Sequence, residues 1–459
     1  MKEYMIMIKS IALLATLILI VGCGQSAPRK PEVKEPFKST YQAGAHKPYV
    51  ITNVHLLDGA GNEYESVSVL VSDNKIQAVG EMLSMEGVET IINAEGQWLT
   101  PGLIDNHSHL GVYPSPSIDS TSDGNEMTSP DTANVWAEHA VWPQDPGFNL
   151  ARAGGVTAMQ ILPGSGNLIG GRGVSLKNVP AMTMMEMKFP GAPHSLKMAC
   201  GENPKRVYGR KGIIPSTRMG NMAMYRKSWI EATEYLEAWE NYYAGKTDDK
   251  PGRDLRLETL SEVLKGNIRI HNHCYRADEM LQMIALSKEF GYQIASFHHA
   301  VESYKIADAL AQEDICSSMW SDWWGFKLEA YDGIKENIAI VEKAGACSIV
   351  HSDSSVGIQH LNQDAAKAMA SGRKAGIEIS PAVAIQWITL NPAKSMGIDH
   401  LTGSIEAGKA ADFVLWDGNP FSVYSKAQQV FIDGNKVYDR NDSAFQAKSD
   451  YELGLRNGE

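Results

Sequence analysis

The architecture of this chain depends first on one short stretch, Pro101-Gly102-Leu103-Ile104-Asp105-Asn106-His107-Ser108-His109. An apolar run ends there in two histidines one residue apart. Because side chains at positions i and i+2 of a strand point to the same face, His107 and His109 can bind one metal ion from a single strand end. Imidazole is the commonest neutral ligand for a catalytic divalent metal. The stretch therefore predicts an apolar strand that carries two ligands of a metal centre.

The middle of the chain, roughly residues 100–395, alternates strand-like runs with helical patterns. Such alternation is typical of an α/β protein with a parallel sheet, and eight strands suit a (β/α)8 TIM-type barrel with its active site at the carboxyl strand ends. The segment 214–262 is too long for a simple crossover and predicts additional helices above the barrel mouth. The glycine-rich stretch 164–173 lacks the ending of a phosphate loop and is interpreted as a loop at the mouth. The predicted strands are 103–109, 156–162, 174–176, 195–200, 268–273, 294–299, 315–317 and 346–351.

Both flanks of this middle region are rich in short strands separated by turn signals. Residues 48–100 and residues 396–440 alternate apolar and polar side chains, or run apolar, between turns such as Asp58-Gly59 and Asp433-Gly434. They predict one small β-sandwich domain formed from both termini. The barrel is then expected over residues 101–395, and residues 441–459 form a C-terminal tail.

The first 23 residues have the character of an export signal. Lys2 and Lys9 precede an apolar run that is too short for a comfortable membrane span, and small residues then lead to Cys23. This pattern predicts a lipoprotein signal peptide over residues 1–23, with a lipidated Cys23 at the start of the mature chain; an uncleaved N-terminal anchor is the alternative. Both interpretations place the protein outside the cytoplasm, anchored to a membrane at the periplasmic side or the cell surface. Residues 24–47 are expected to be a flexible tether.

The charge and the remaining cysteines restrict the set of partners. A formal net charge of -12 argues against nucleic acid as a partner. The cysteines besides Cys23 lie in or beside apolar strand-like runs, and their spacing is typical of neither a zinc knuckle nor a small disulfide scaffold, so buried free thiols are expected. The sequence leaves the oligomeric state undecided, and a homo-oligomer is one possibility. These cysteines are Cys200, Cys274, Cys316 and Cys347.

Further histidines and an aspartate follow the ends of later predicted strands. His271 and His273 share one face of the fifth strand; His273 lies nearer the end and is the candidate ligand, whereas His271 is expected to lie behind the ligands. Of the adjacent His298 and His299, only one is expected to point inward, because neighbouring strand residues face opposite ways, and His299 is chosen. Asp353 comes just past the last strand, where it could bind metal, act as general base on the attacking water, or do both.

Six stretches of the chain match known sequence motifs: TPGLIDNHSH at 100–109, AGGVT at 153–157, HCYRADEM at 273–280, SD at 352–353, NPAK at 391–394 and GSIEAGKAAD at 403–412. With them the chain resembles the amidohydrolase superfamily of metal-dependent hydrolases, particularly its imidazolonepropionase-like and prolidase-like branch, over roughly residues 48–440. The resemblance implies a (β/α)8 barrel with a small β-sandwich from both termini. It also implies metal ligands at His107, His109, His273 and His299, with the catalytic acid–base at Asp353.

One further ligand decides between one metal ion and two. For two-metal members, the resemblance implies a bridging ligand that is often a carboxylated lysine on the fourth strand, and Lys197 fits that place. A lysine in an apolar strand is also costly to bury unless it is paired or modified, and addition of CO2 would convert it into an anion suited to bridging two cations. Glu202, a carboxylate at the strand end, is the rival ligand. In a third interpretation Lys197 points outward between helices.

Two groups of side chains bear on the nature of the substrate. The basic residues that follow the fourth strand could hold a substrate carboxylate, or they could form a solvated loop paired with nearby acids. The aromatic residues of the loop at 320–326 could wall the pocket or pack the inserted helices. The residues expected to lie behind the ligands or to contact substrate are His271, Tyr275, Arg276, Arg206 and Arg218.

The predicted function is metal-dependent hydrolysis of a C–N bond, in a dipeptide, an N-acyl amino acid or a cyclic amide. One or two divalent ions are expected, with zinc as the first candidate, although such ligand sets also accept other metals. Two alternatives stay open: a deaminase of an aminated heterocycle on the same fold, and a non-catalytic solute-binding lipoprotein. Deaminases of the superfamily usually place a glutamate just after the fifth-strand histidine. Cys274, Tyr275 and Arg276 stand there instead, which favours amide hydrolysis.

Overall fold

The computed structural model describes residues 36–115 and 117–445. The predicted signal peptide with Cys23, the tether up to residue 35 and the tail from residue 446 lie outside the described residues. Within the described ranges, every helix is too short or too polar to cross a membrane. The strands, in chain order, are β1 (Tyr49–Leu57), β2 (Glu63–Ser72), β3 (Lys75–Gly80), β4 (Thr90–Asn93), β5 (Trp98–Pro101), β6 (Leu103–Ser108), β7 (Val156–Ile161), β8 (Ile169–Lys177), β9 (Ser195–Ala199), β10 (Arg269–Cys274), β11 (Ile294–His299), β12 (Cys316–Met319), β13 (Ser348–Val350), β14 (Phe413–Trp416), β15 (Ala427–Ile432) and β16 (Asn435–Asp439).

The helices begin and end at residues suited to those positions. The Asp254 carboxylate accepts the first free N–H groups of the helix that follows it, and Gly291 ends another helix in the left-handed conformation. In chain order the α-helices are α1 (Pro146–Ala153), α2 (Met184–Met187), α3 (Glu202–Arg210), α4 (Arg218–Tyr243), α5 (Leu255–Leu264), α6 (Ala277–Phe290), α7 (Ala307–Gln312), α8 (Asn337–Lys343), α9 (Leu361–Lys374), α10 (Pro381–Ala384) and α11 (Leu390–Met396).

Strands from both flanks of the chain form one mixed sheet, in the order β16-β15-β14-β5-β1-β2-β3, with β4 paired to β1. The link between the flanks is β14, whose Val414 lies opposite Thr100 of β5 in antiparallel register. Ile51, Val69 and Phe413 share one buried cluster of this sheet. The two flanks are therefore joined in a single sheet, while a two-layer sandwich stays a prediction.

A second eight-stranded sheet contains β6 to β13 in chain order and forms the barrel. The strands from β9 to β13 are parallel neighbours, so their carboxyl ends lie together. The two outer strands approach each other at these ends, where the amide of Asp353 donates to the carbonyl of His107 at 3.1 Å. The sheet thus curls into a nearly closed TIM-type barrel, whose carboxyl strand ends form the mouth.

β8 departs from the predicted all-parallel arrangement, because it runs antiparallel to both β7 and β9. The physical reason is the connection: residues 162–168 alone separate β7 from β8, and parallel strands need a longer crossover. The glycine-rich stretch 164–173, expected to be a loop, contributes its second half to this strand. At Gly173 a Cβ would lie 2.5 Å from the Ser195 hydroxyl oxygen, so glycine permits the close approach of β8 to β9.

The predicted additional helices are α4 and α5, and α4 contacts the carboxyl end of β9. The side-chain amide of Asn221 donates to the carbonyl of Gly201 at 3.1 Å, and the Tyr225 hydroxyl donates to the carbonyl of Ala199. Trp229, one turn further along α4, is fully buried. These contacts hold α4 at the barrel mouth.

Residues 36–47, expected to belong to a flexible tether, contact the body of the protein. The Ser39 hydroxyl donates to the carbonyl of Lys188 at 2.6 Å, and the Lys188 Nζ donates to the carbonyl of Phe37 at 2.8 Å. The Tyr41 hydroxyl donates to Asp433 of the C-terminal sheet. A flexible tether that reaches residue 47 is not what the structure shows here, because residues of this segment are hydrogen-bonded to Lys188 and Asp433 of the body.

The expectation of four free thiols is also wrong, because the cysteines form two disulfides. Cys200 is bonded to Cys274 with their Cα atoms 5.2 Å apart, and Cys316 is bonded to Cys347 at 4.4 Å. The paired cysteines are 74 and 31 residues apart in the sequence, so no local pattern indicates which cysteines pair. Strand register brings the partners together: the amide of Cys200 donates to the carbonyl of His273, and the amide of Ser317 donates to the carbonyl of Cys347.

Candidate active site

β6 and the turn after it position the first two histidines of the mouth. His107 is fully buried, and its amide donates to Oδ1 of the buried Asp105 at 3.0 Å. His109 follows the strand, and its Nδ1 lies 2.7 Å from the carbonyl oxygen of Leu162. A carbonyl can only accept, so Nδ1 of His109 carries a proton, and Nε2 is the ring nitrogen directed to the mouth.

Asp353 lies between these two histidines. Its Oδ1 is 3.5 Å from His107 Nε2 and 3.2 Å from His109 Nε2, and one ligand atom from each residue lies within 4.8 Å of the others. Burial favours the protonated form of Asp353, but His109, His351 and Lys197 outweigh it and hold the pKa of the carboxyl below its usual range. The carboxylate is therefore ionised at neutral pH, where it can bind a cation or accept a proton.

A second group of candidate ligands consists of His107, His299 and His351, whose nearest ring nitrogens also lie within 4.8 Å of one another. His351 Nε2 is 3.0 Å from His299 Nδ1, and all three side chains are buried. Sequence reasoning missed His351. The signal was present, because His351 and Asp353 stand one residue apart at the end of β13, like His107 and His109 at the end of β6.

Lys197 points into the barrel from β9, so the interpretation that placed it between the helices is wrong. The side chain is fully buried, with Nζ 3.3 Å from His107 Nε2 and 3.0 Å from the carbonyl oxygen of Pro163. Burial lowers the pKa of Lys197 to about 8, although Asp353 opposes the shift. The amine is therefore neutral in part of the molecules at neutral pH.

His273 faces the same space from β10. Its ring centroid is 4.5 Å from that of His299, and it belongs to neither group of three described above. Across residues 36–115 and 117–445, neither of its buried ring nitrogens finds a hydrogen-bond partner. His273 thus lines the centre with both nitrogens unsatisfied.

His271 and His298 lie one layer deeper in the barrel. His271 Nδ1 is 2.8 Å from His298 Nε2, and His298 Nδ1 is 2.8 Å from His107 Nδ1. The expectation that only one of the adjacent His298 and His299 points inward is therefore wrong. His299 is the last residue of β11 and has φ +68, which breaks the alternation of side-chain directions along the strand.

The donor set fits a divalent cation. Burial lowers the pKa of His351 to about 4 and holds the pKa values of His107, His273 and His299 well below the ordinary range, so the imidazoles are neutral, as metal binding requires. Buried polar atoms without partners cost free energy. A cation would use the nitrogens that the described protein groups leave unsatisfied, and its charge would offset that of Asp353.

Glu202, the rival ligand, lies at the rim of the mouth, away from the histidines. Its Oε1 is 3.6 Å from the Nζ of Lys327, which lies 3.9 Å from the centroid of the Tyr275 ring. Tyr275 in turn stacks on His299 with a centroid distance of 5.4 Å. The structure therefore places Lys197 among the histidines and pairs Glu202 with a lysine instead.

The predicted basic residues of the rim are largely engaged by acids. Arg218 Nε lies 2.9 Å from Glu279 Oε2, and Arg218 also pairs with Glu329. Arg276 pairs with a neighbouring aspartate on α6 at 2.9 Å, while Arg206 is exposed on α3. Arg218 and Arg276 therefore follow the interpretation of a loop paired with nearby acids.

Comparison with known proteins shows the family. Residues 257–442 match the Amidohydrolase family. The crystal structure of an amidohydrolase from Thermotoga maritima MSB8 is 34% identical, has a TM-score of 0.79, and covers 85% of this chain and 100% of its own. The chain belongs to the amidohydrolase family, whose members are typically metal-dependent hydrolases acting on C–N bonds.

Two further relatives have different names, so they do not identify one substrate class. The amidohydrolase tasK of Hapsidospora irregularis is 32% identical over 372 residues, which are 76% of this chain and 37% of the relative. An adenine deaminase of Clostridium botulinum (strain 657 / Type Ba4) is 26% identical over 415 residues, 88% of this chain and 60% of the relative. The chain thus spans well under two thirds of the length of these two relatives.

Proposed function

We propose that the chain hydrolyses an amide C–N bond in a small substrate such as a dipeptide, an N-acyl amino acid or a cyclic amide. The observation that carries this proposal is an ionised carboxylate, Asp353, within 3.5 Å of His107 and 3.2 Å of His109 at the mouth of the barrel. A carboxylate base held beside imidazole ligands is the arrangement that metal-assisted hydrolysis requires.

The residues proposed to hold the metal are His107, His109, His273, His299 and Asp353, with zinc as the first candidate. When bound, a divalent cation lowers the pKa of water and polarises the substrate carbonyl. The neutral state of the buried imidazoles supports this role. Two further groups, Lys197 and His351, lie close enough to the same space to complete a second position.

Asp353 is the proposed acid–base of the reaction. Its lowered pKa keeps the carboxylate ionised at neutral pH, so it can take the proton of the attacking water. It then returns this proton to the nitrogen of the leaving amine as the C–N bond breaks. The hydrogen bond from the Asp353 amide to the carbonyl of His107 holds the carboxylate over the strand ends.

A deaminase is the second candidate, supported by the similarity to an adenine deaminase over most of the chain. Against it stand the residues just after His273, where deaminases of this superfamily usually carry a glutamate. Cys274, Tyr275 and Arg276 stand there instead, and Cys274 is bonded to Cys200, so none of the three supplies a carboxylate. Amide hydrolysis needs one acid–base group, which Asp353 supplies.

Asp353→Asn is expected to lower kcat by about a hundredfold or more, because the amide cannot take the proton of water. Activity of the metal-loaded protein is measured on panels of dipeptides and N-acyl amino acids, with metal content determined in parallel. Ammonia release from aminated heterocycles without cleavage of amides would establish the deaminase. An Asp353→Asn protein that keeps its metal and full amidase activity would overturn the assigned base.

The matched control is Asp73→Asn. Asp73 lies in the exposed turn between β2 and β3, and its φ of +52 is close to the φ of +50 at Asp353. Asparagine tolerates this backbone conformation, so both variants keep the fold by the same argument. Asp73→Asn is expected to leave kcat and metal content unchanged. The absence of turnover of every panel in metal-loaded wild-type protein would favour a solute-binding role.

A further inference from the structure

The loop that follows β12 exposes aromatic side chains beside the mouth of the barrel. Trp323 is 47% exposed and Phe326 is 56% exposed. Exposed apolar surface costs roughly 25 cal/mol per Å², and single exposed rings need no explanation. Here, however, the exposed rings are continuous with the candidate active site.

Trp320 connects the loop to the histidines. Its ring stacks on His299 with a centroid distance of 4.3 Å and an interplanar angle of 24°, and on His351 at 5.3 Å and 26°. Its indole N–H donates to the carbonyl of Ser352 at 3.2 Å. Trp320 is therefore held in one orientation directly against two candidate ligands.

Three more rings extend this surface away from the histidines. Trp323 stacks on Trp320 at 5.2 Å, and Phe326 meets Trp320 edge to face at 5.6 Å. Phe326 also approaches the ring of Tyr275, which stacks on His299. Tyr275, Trp320, Trp323 and Phe326 together form an aromatic platform with one end on His299 and the other end open to solvent.

The open face of this platform is the part that is available to a ligand. The recess behind it, lined by Trp320, Trp323 and Asn337, has a volume of about 10 Å³, roughly enough for one water molecule. A ring or a branched side chain cannot enter that recess. An apolar group bound here must lie on the exposed faces of Trp323 and Phe326.

The charge at the rim favours an uncharged group. Lys327 lies over the Tyr275 ring, but its Nζ is 3.6 Å from Glu202 Oε1 and 3.7 Å from Glu329 Oε2. Its charge is thus offset by two carboxylates. The platform thus offers stacking and apolar contact, and the lysine that lies over it is already paired with carboxylates.

We propose that the aromatic platform binds an aromatic or large apolar side chain of the substrate, next to the amide that is cleaved. This inference rests on the proposed function for the nature of the scissile bond. The substrate class is a dipeptide or N-acyl amino acid with such a side chain, and stacking on indole and phenyl faces provides the preference over small side chains.

The double variant Trp323→Ala/Phe326→Ala tests the platform with the dipeptides Ala-Ala, Phe-Ala and Ala-Phe. Wild-type protein is expected to prefer a phenylalanine-containing substrate, and the double variant to lose about tenfold in kcat/KM for it through KM. The kcat for that substrate stays unchanged, and kcat/KM for Ala-Ala falls by less than kcat/KM for the phenylalanine-containing substrate. The control is Tyr424→Ala, which removes an aromatic ring that is 88% exposed in the connection between β14 and β15. Equal kcat/KM for all three dipeptides in wild-type and double-variant protein overturns the proposal.

Binding measured without turnover separates this proposal from the proposed function. N-acetylphenylalanine amide and N-acetylalanine amide are titrated calorimetrically into the Asp353→Asn protein, with and without the two alanine substitutions. Tighter binding of the phenylalanine probe, lost in the alanine variants, supports the platform even where no amide is cleaved. Cleavage of dipeptides with equal binding of both probes leaves the hydrolase intact and overturns the platform. A double variant that changes only the oligomeric state assigns the platform to contacts between copies and overturns the proposal as well.

Discussion

Lys197 combines complete burial with a position among the candidate metal ligands. Its Nζ lies 3.3 Å from His107 Nε2, and burial lowers its pKa to about 8. An unmodified ammonium there would stand beside ligands that a cation also needs, so the two charges would repel each other. Addition of CO2 to the neutral amine would replace this repulsion by attraction. The geometry therefore supports Lys197 over Glu202 as the bridging ligand.

Lys197→Met is expected to lower the metal content of the purified protein without unfolding it. Methionine fills a similar volume, so the fold is expected to persist with a loss of about 1–3 kcal/mol, because the carbonyl of Pro163 loses its donor. Metal per chain is measured by elemental analysis and the free energy of unfolding by urea titration. Native mass spectrometry of the wild-type protein is expected to show the added mass of one CO2.

Glu202→Gln is the comparison variant for Lys197, because it alters the rival carboxylate. Glu202 pairs with Lys327 at the rim, so the variant is expected to retain the full metal content. Loss of metal from Glu202→Gln, together with full metal in Lys197→Met, would reverse the assignment.

At the scale of strands, the two disulfides lie at different distances from the candidate centre. Cys200–Cys274 joins the carboxyl ends of β9 and β10, next to Lys197 and His273. The second bond joins the first residue of β12 to the residue before β13, at the opposite ends of those strands. The first bond therefore restrains two candidate ligands, whereas the second restrains the closed end of the barrel.

The double variant Cys200→Ser/Cys274→Ser is expected to lose stability and to release its metal faster. The loops closed by the two bonds span 74 and 31 residues, so chain entropy predicts similar losses of about 4 kcal/mol for either bond. Urea unfolding measures the loss of stability. The rate of metal transfer to a chelator measures how fast the metal dissociates from the candidate site.

The remaining disulfide provides the control, through Cys316→Ser/Cys347→Ser. This variant is expected to lose a similar amount of stability and to keep the wild-type rate of metal release. Equal acceleration of metal release in both double variants would show that the effect comes from general destabilisation of the barrel.

At the scale of the whole molecule, residues near both limits of the described part of the chain contact the barrel at one place. Lys177 of β8 lies 2.7 Å from Asp433 Oδ2, and the Tyr41 hydroxyl donates to the same carboxylate. The Lys177–Asp433 pair is buried, so it joins the barrel, the C-terminal sheet and the segment at residues 36–47.

We propose that the protein acts outside the cytoplasm and is held to a membrane by lipid on Cys23. Two disulfides support this proposal, because such bonds persist in oxidising compartments. When the protein is produced in a bacterial host, Cys23→Ser is expected to prevent incorporation of labelled palmitate and to move the protein from the membrane fraction to the soluble fraction. Ser26→Ala, close by in the same segment, should change neither. Membrane retention of wild-type protein without any label would establish the uncleaved anchor instead.

Local sequence patterns were sufficient to predict most strands of the barrel and the direction in which some of its side chains point. The alternation of apolar runs and helical patterns predicted most strands of the barrel and the inserted helices. The rule that residues i and i+2 of a strand share a face predicted that His107 and His109 point to one place, and the structure brings ligand atoms of both within 4.8 Å of Asp353. These features follow from the sequence because a strand sets the direction of each side chain over only a few neighbouring residues.

The remaining features depend on contacts between residues that are far apart in the chain. The antiparallel β8, the two disulfides and the docking of residues 37–41 come from the order and register of strands, which no local pattern specifies. The inward turn of both His298 and His299 comes from a positive φ at the end of β11, where closure of the barrel overrides strand alternation. Side-chain direction is a local property, whereas the distance between two side chains on different strands exists only once the sheet has closed.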